Sequence, residues 1–363
     1  MNMDDIGRIG PIPPVAKWCL ICLPRLGHSI VNSWNSCAAY CLACLITTWM
    51  ILGSISLASA AQIGSPSVEK PWSVDLRVKY NFNSHTSFEF GNPFSPYQSP
   101  LSRLEFPTNT FWVGAEVRRS FFSRFSLGVE ALTNIPGDSS GVFKDSDWED
   151  DENAKVKTTY SESKCRMERS YDVRGDLDLK IYDLIGFPSW FDIRPLIGVR
   201  WQRYNLMTHD GLQSYPAPGD NRPAQSLPGD GIYFEQTYWH YFLGVRSVYD
   251  IGKHIKEAAR WKLLMQLDWA YVDGNNVDHH LLRSGNRLTY EKTRGDAWHA
   301  LLGMKVGLTD SINANFIADY LRIKTTGSHR LINSAYDIDF SFDSGVMVWS
   351  EQMSITMNLE YMF

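Results

Sequence analysis

Charge is sparse in this chain, and neither sign prevails. Only 21% of its 363 residues are Asp, Glu, Lys or Arg; 35 Lys+Arg stand against 40 Asp+Glu, for a formal net charge of −5. That balance leaves no extended basic surface for nucleic acid. Cysteine all but vanishes after residue 44. Cys19, Cys22, Cys37, Cys41 and Cys44 precede that point, and Cys165 stands alone beyond it. A disulfide framework within the remainder is therefore excluded. Glycine and proline follow no period, which removes collagen-like and low-complexity classes. No Walker loop, G-x-G-x-x-G turn or H-E-x-x-H helix occurs, so the usual sequence marks of nucleotide and zinc chemistry are missing. Aromatic residues, by contrast, make up 13% of the chain, too many for a disordered polymer.

One long apolar run exists, from Ala38 to Ala58, preceded by Lys17 and Arg25 and followed by Ala58-Ser59-Ala60. A basic flank, an apolar stretch and an A-x-A site read as a secretory leader over residues 1–60. At about 20 residues the run is also long enough for a retained membrane anchor, the competing reading. The remainder, 62–363, is expected to be one domain.

Beyond the leader, hydrophobicity alternates with a period of two. Met353, Ile355, Met357, Leu359, Tyr361 and Phe363 share one face; Ser354, Thr356, Asn358 and Glu360 share the other. Successive side chains of a strand point to opposite sides, so such alternation demands a strand. The same holds for Val74, Leu76, Val78, Tyr80 and Phe82, for Val173, Leu177, Leu179 and Ile181, for Trp239, Tyr241, Leu243 and Val245, and for Trp261, Leu263, Met265, Leu267, Trp269 and Tyr271. Segments 107–119, 124–134, 191–207, 288–308 and 312–325 complete a set of ten. These strands exceed the usual length of about five or six residues. An apolar, aromatic face, a charged face and an export signal together indicate an all-β fold: a ten-stranded antiparallel transmembrane β-barrel. The bilayer forces closure, since an open edge would strand backbone N–H and C=O groups in hydrocarbon. A soluble sandwich would have shorter strands and a less charged polar face.

Connections alternate in length. Short ones fall near Phe121-Phe122-Ser123, 186–190, 252–256 and Thr309-Asp310-Ser311; long ones near 91–106, 136–170, 209–231, 274–287 and 327–344. Long loops then gather at one mouth, on the cell exterior, with the short turns in the periplasm. Two long segments carry chemistry. One is Lys144-Asp145-Ser146-Asp147-Trp148-Glu149-Asp150-Asp151-Glu152; the other is Asn275-Asn276-Val277-Asp278-His279-His280. In extended backbone Asp145 and Asp147 project to one side, as do Asp278 and His280. An Asp orients a His and stabilises its imidazolium, and facing carboxylates can hold a water and share a proton. That set suits water activation for amide hydrolysis. Taken singly, the acidic run also fits a solvated loop or Ca²⁺ site, and the His pair a stray metal.

At these residues the chain resembles the omptins, ten-stranded outer-membrane endopeptidases of Gram-negative bacteria. Their Asp-x-Asp-Trp appears as Asp145-Ser146-Asp147-Trp148, their Asp-x-His as Asp278-His279-His280, and their Gly-Lys-Arg-Ile-Thr-Tyr as Gly285-Asn286-Arg287-Leu288-Thr289-Tyr290. The resemblance spans about 75–363. It implies an Asp278–His280 dyad with His280 as general base, opposite a nucleophilic water held by Asp145 and Asp147, without metal or covalent intermediate. It implies polypeptide substrates at the cell surface, an outer-membrane location, a monomer and no nucleic-acid partner. It also implies lipopolysaccharide on the outer wall, at Arg203 and Arg294, with Thr237 where the family has a further base. The family's acid two positions before the dyad Asp is Asn276 here, which departs from its preference for basic peptides; Glu89 is the candidate substrate-binding acid. Two alternatives from other classes remain, a non-catalytic adhesin or structural barrel on the same scaffold and a small channel.

Overall fold

Strands whose two faces differ this sharply must bury one face and offer the other to lipid, and the computed structural model, which describes residues 70–92, 98–150, 152–285 and 287–363, is built almost wholly of them. The leader read over 1–60 lies outside the described residues, as do Asp151 of the acidic run and Asn286. The strands are β1 (Trp72–Asn92), β2 (Gln98–Pro107), β3 (Phe111–Phe121), β4 (Phe125–Asn134), β5 (Gly137–Asp138), β6 (Phe143–Asp147), β7 (Thr159–Met167), β8 (Tyr171–Leu179), β9 (Phe191–Ser214), β10 (Gln225–Asp250), β11 (Trp261–His280), β12 (Arg287–Gly307), β13 (Ile312–Asn333) and β14 (Ile338–Met362). No helix among the described residues is long and apolar enough to cross a membrane.

Fourteen strands still make a ring of ten. At the end where β1 begins and β14 finishes, the order is β1, β3, β4, β8, β9, β10, β11, β12, β13, β14, and antiparallel pairing of β14 with β1 closes it. Toward the opposite rim β1 changes partner. Its second half pairs with β2, β2 with β6, β6 with β7, and β7 with β9. Each of the sequence-derived strands two, three and four is thus bent into a lower and an upper piece, and the barrel has two tiers.

The lower tier is inside-out relative to a soluble protein. Ile355, Met357, Leu359 and Tyr361 are 50–56% exposed, while Ser354, Thr356, Asn358 and Glu360 are buried. Leu76, Val78, Val113, Val129, Ile197, Leu243, Leu267 and Leu302 continue that outward apolar face around the ring. Such a belt is stable only against lipid. The lumen behind it is charged but paired. Arg77 sits between Glu116 and Glu130, Arg118 bonds Asp176 at 2.8 Å and Asp178 at 2.9 Å, and Arg200 Nε bonds Asp172 at 2.9 Å. Higher up, the lumen is filled by a buried aromatic and aliphatic cluster that includes Phe88, Phe106, Phe143, Tyr204, Phe234 and Tyr238; Cys165 is buried in it.

The expected long loops are a correction. Most of 98–107, 143–147, 159–167, 274–280 and 338–344 is paired strand. Above the bilayer the outward face meets water, so both faces turn polar and the alternation that marks a strand disappears. The ladder continues because the twisted sheet still needs its backbone bonds.

Candidate active site

The upper tier brings the two acidic segments together. Asp145 and Asp147 lie on β6, held between β2 and β7. Asp145 is opposite Leu104 on one side and Ser161 on the other; Asp147 is opposite Ser102 and Thr159. Asp278 and His280 finish β11, opposite Thr289 and Arg287 of β12. Both motifs are therefore on strands, and the period of two aims each pair to one side.

His280 Nε2 lies 2.9 Å from Asp278 Oδ2. The ring's other nitrogen, Nδ1, is then the one available to a reactant. Asp145 and His280 line one cavity of about 190 Å³, walled also by Ser161, Ser163, Thr208, His209, Gln213 and Arg283. Asp147 is one pleat further along β6 and does not line it. Burial pushes the Asp145 carboxyl well above its ordinary value, the charges of Asp147 and Asp278 push the same way, and Arg283 and Arg287 oppose them. A carboxyl so placed holds a proton at a pH where exposed aspartates have lost theirs. Its Oδ1 is buried without a hydrogen-bond partner, as is Asp278 Oδ1.

Several residues of this region were not among the sequence candidates. His209 meets Asp210 at 3.0 Å through Nδ1 and Asp138 at 3.2 Å through Nε2, and the bond to Asp210 raises its proton affinity. Glu291, opposite Asn276 on β12, receives His329 Nδ1 of β13 at 3.0 Å. Burial holds the Glu291 carboxyl well above its ordinary range, with the charge of Asp278 adding to the effect. Burial also lowers His329 to about 4. Only the neighbouring Arg287 had a signal, inside the Gly-x-Arg-x-Thr-Tyr stretch; a lone Glu or His on a strand carries none.

The remaining candidates sit elsewhere. Glu89 is held by Arg103, whose Nε is 2.7 Å away, and is not part of the cavity wall. Arg203 and Arg294 are on the outer wall, just beyond the aromatic residues Trp201, Trp239, Trp269 and Trp298, and engage Glu235 at 2.6 Å and Asp273 at 3.1 Å. Gly137-Asp138-Ser139-Ser140-Gly141 spells G-x-S-x-G, but it leads into strand β6 rather than a helix, and Ser139 Oγ donates to Asn109 O; a nucleophile elbow needs the strand-to-helix turn. Among the described residues no group of three or more His, Cys, Asp or Glu is placed to hold a metal ion.

Comparison with known proteins bears on most of the chain. The model of the Omptin family matches residues 97–363. Among solved structures the chain is similar to the outer membrane protease OmpT from Escherichia coli, with a TM-score of 0.71 at 14% identity over 82% of this chain and 99% of that one. It also matches the translocator domain of autotransporter NalP from Neisseria meningitidis, with a TM-score of 0.33 at 8% identity over 91% of this chain and 98% of that one. No curated protein sequence matches.

Proposed function

The chain belongs to the omptin family, and from that premise we propose that it is a metal-independent endopeptidase that hydrolyses peptide bonds with a water activated by the Asp278–His280 dyad, facing Asp145 and Asp147. The observation that carries this reading is that Asp145 and His280, from strands far apart in sequence, wall the same cavity. Asp278 accepts the Nε2 proton of His280, which leaves the Nδ1 lone pair for the water. His280 takes one proton from that water as its oxygen attacks the scissile carbonyl. Asp278 stabilises the imidazolium that results. Asp145, sharing a proton with Asp147, holds the water opposite and offers a hydrogen bond to the oxyanion as it forms. His280 then gives its proton to the departing amine.

The similar Escherichia coli protein is an outer membrane protease, and this chain is read as its counterpart, a monomer with its cavity open to the cell exterior and polypeptides as substrates. Arg203 and Arg294 are read as contacts for lipopolysaccharide, which would compete with Glu235 and Asp273 for them. Cleavage of a peptide library by the refolded protein, with and without lipopolysaccharide, is the test. His280→Ala or Asp145→Ala is expected to lower the rate by roughly 10²–10⁴-fold with the barrel intact. Full activity in either variant rejects the assignment and favours a non-catalytic barrel.

A further inference from the structure

Beneath the dyad, the β11–β12 ladder carries a block of four inward side chains. Asp278 stands opposite Thr289, and Asn276 opposite Glu291. All four are at most 2% exposed. Asp278 Oδ1 and both amide atoms of Asn276 are buried without a partner, while the Thr289 hydroxyl serves the Glu291 carboxyl beside it on β12 and partly offsets the effect of burial on it. Buried polar groups are satisfied with few exceptions, so three exceptions in one block, beside a second buried carboxyl, point to an arrangement they share. The two carboxyls are built alike. Asp278 Oδ2 accepts from His280 Nε2 at 2.9 Å, and Glu291 Oε1 lies 3.0 Å from His329 Nδ1. Asp278 Oδ1 is left over on the inward face that Glu291 shares. Diagonal positions on paired strands are about 7–8 Å apart, within reach of long side chains. Two ionised carboxylates so close in a dry interior repel strongly, and a single proton between them removes the conflict.

We propose that Asp278 and Glu291 share one proton across this block, so that His280, Asp278, Glu291 and His329 form one relay over β11, β12 and β13. Glu291 and His329 are positioning residues in it: they fix the Asp278 carboxyl and keep a single negative charge behind His280. The rest of the surroundings agree. The His329 ring is stacked with Phe90 at 4.8 Å, Phe342 at 4.9 Å and Phe88 at 6.2 Å between centroids. On the inner face β10 contributes Phe234 and Gln236, β1 contributes Phe88 and Phe90, and β14 contributes Phe342, none of which titrates in the working range. The charges that act on Glu291 and His329 are those of Asp278 and of Arg287 on β12. Asp145 on β6 feels the charge of Asp278 as well.

The consequence for catalysis rests on the peptidase reading; the shared proton does not. Difference infrared spectra of the refolded full chain test the proton directly. In an Asp145→Asn background, which removes the Asp145 carboxyl, the protein is expected to show a protonated-carboxyl C=O band at neutral pH that Glu291→Gln abolishes and Asp278→Asn shifts. Absence of that band, or a band that Asp278→Asn leaves unmoved, overturns the proposal. A peptide that the wild type cleaves supplies the second readout. Glu291→Ala is expected to lower kcat about tenfold at unchanged KM and to move the acid limb of the pH profile. Glu291→Gln, whose amide still donates to Asp278, restores most of kcat but not the profile. Wild-type kcat and pH profile in both variants overturn the proposal. Should the Ala variant not fold, the Gln variant and the spectra decide. Should the wild type cleave nothing, the peptidase reading fails while the infrared result stands.

Discussion

Asp145 bears the cost of its position. The unfolded chain releases this proton near the ordinary value of 3.8, whereas the folded protein keeps it to higher pH. Between those two values the folded state binds more protons, so this group's contribution to stability falls as the pH rises through the window. Asp145→Asn removes the titration and keeps the shape. The variant is expected to be inactive yet to unfold at a higher temperature than the wild type near neutral pH, with the gap closing below the ordinary carboxylate range. Thermal unfolding followed by circular dichroism across pH checks this; a variant less stable at every pH contradicts it. Legibility at this scale was uneven. Asp145, Asp147, Asp278 and His280 stood out because acids and a histidine two apart on a strand share a face. Glu291 and His329 did not, because each is a single ordinary residue, and only the register of β11, β12 and β13 brings them to the dyad.

The β11–β12 turn illustrates how elements hold the site. Gly285 has φ +81°, and a Cβ there would lie 2.2 Å from Asn333 Oδ1 and 2.4 Å from the Ala335 nitrogen of the neighbouring turn. Its carbonyl accepts Ser334 N at 3.0 Å and Ser334 Oγ at 2.7 Å. Arg283 and Arg287 flank it and act on Asp145. Gly285→Ala is expected to cost about 1–2 kcal/mol from the left-handed backbone alone, and to slow cleavage by moving both arginines. Denaturant unfolding and peptide hydrolysis measure the two effects; a variant unchanged in both removes the turn from the argument. The strands themselves were legible wherever one face met lipid. Their upper extensions were not, since β6 and the end of β11 are polar on both faces.

Closure and a paired lumen hold the whole molecule. Arg200 and Asp172 face each other inside the barrel, the Arg200 guanidinium donating through Nε and Nη2, and Gln202 adds a third donor to the same carboxylate. Arg200→Met strips Asp172 of its counter-ion in a buried site. That is expected to destabilise the barrel by about 3–5 kcal/mol, and the double variant with Asp172→Asn to recover much of it. Heat-dependent mobility on electrophoresis reads the change. Equal stability of the single and double variants refutes a pairwise role.

What the chain settled alone is its class. A period of two with an apolar outer face is a local property of successive residues, and hydrocarbon tolerates no open edge, so ten such strands have to close. What only the tertiary structure decided is the two-tiered ring, in which β1 leaves β3 for β2 and admits β6 to the wall. Partner choice between strands is a long-range matter of backbone hydrogen bonds and twist, to which no stretch of residues testifies. That choice sets Asp145 across one cavity from His280 and lays Glu291 and His329 behind Asp278.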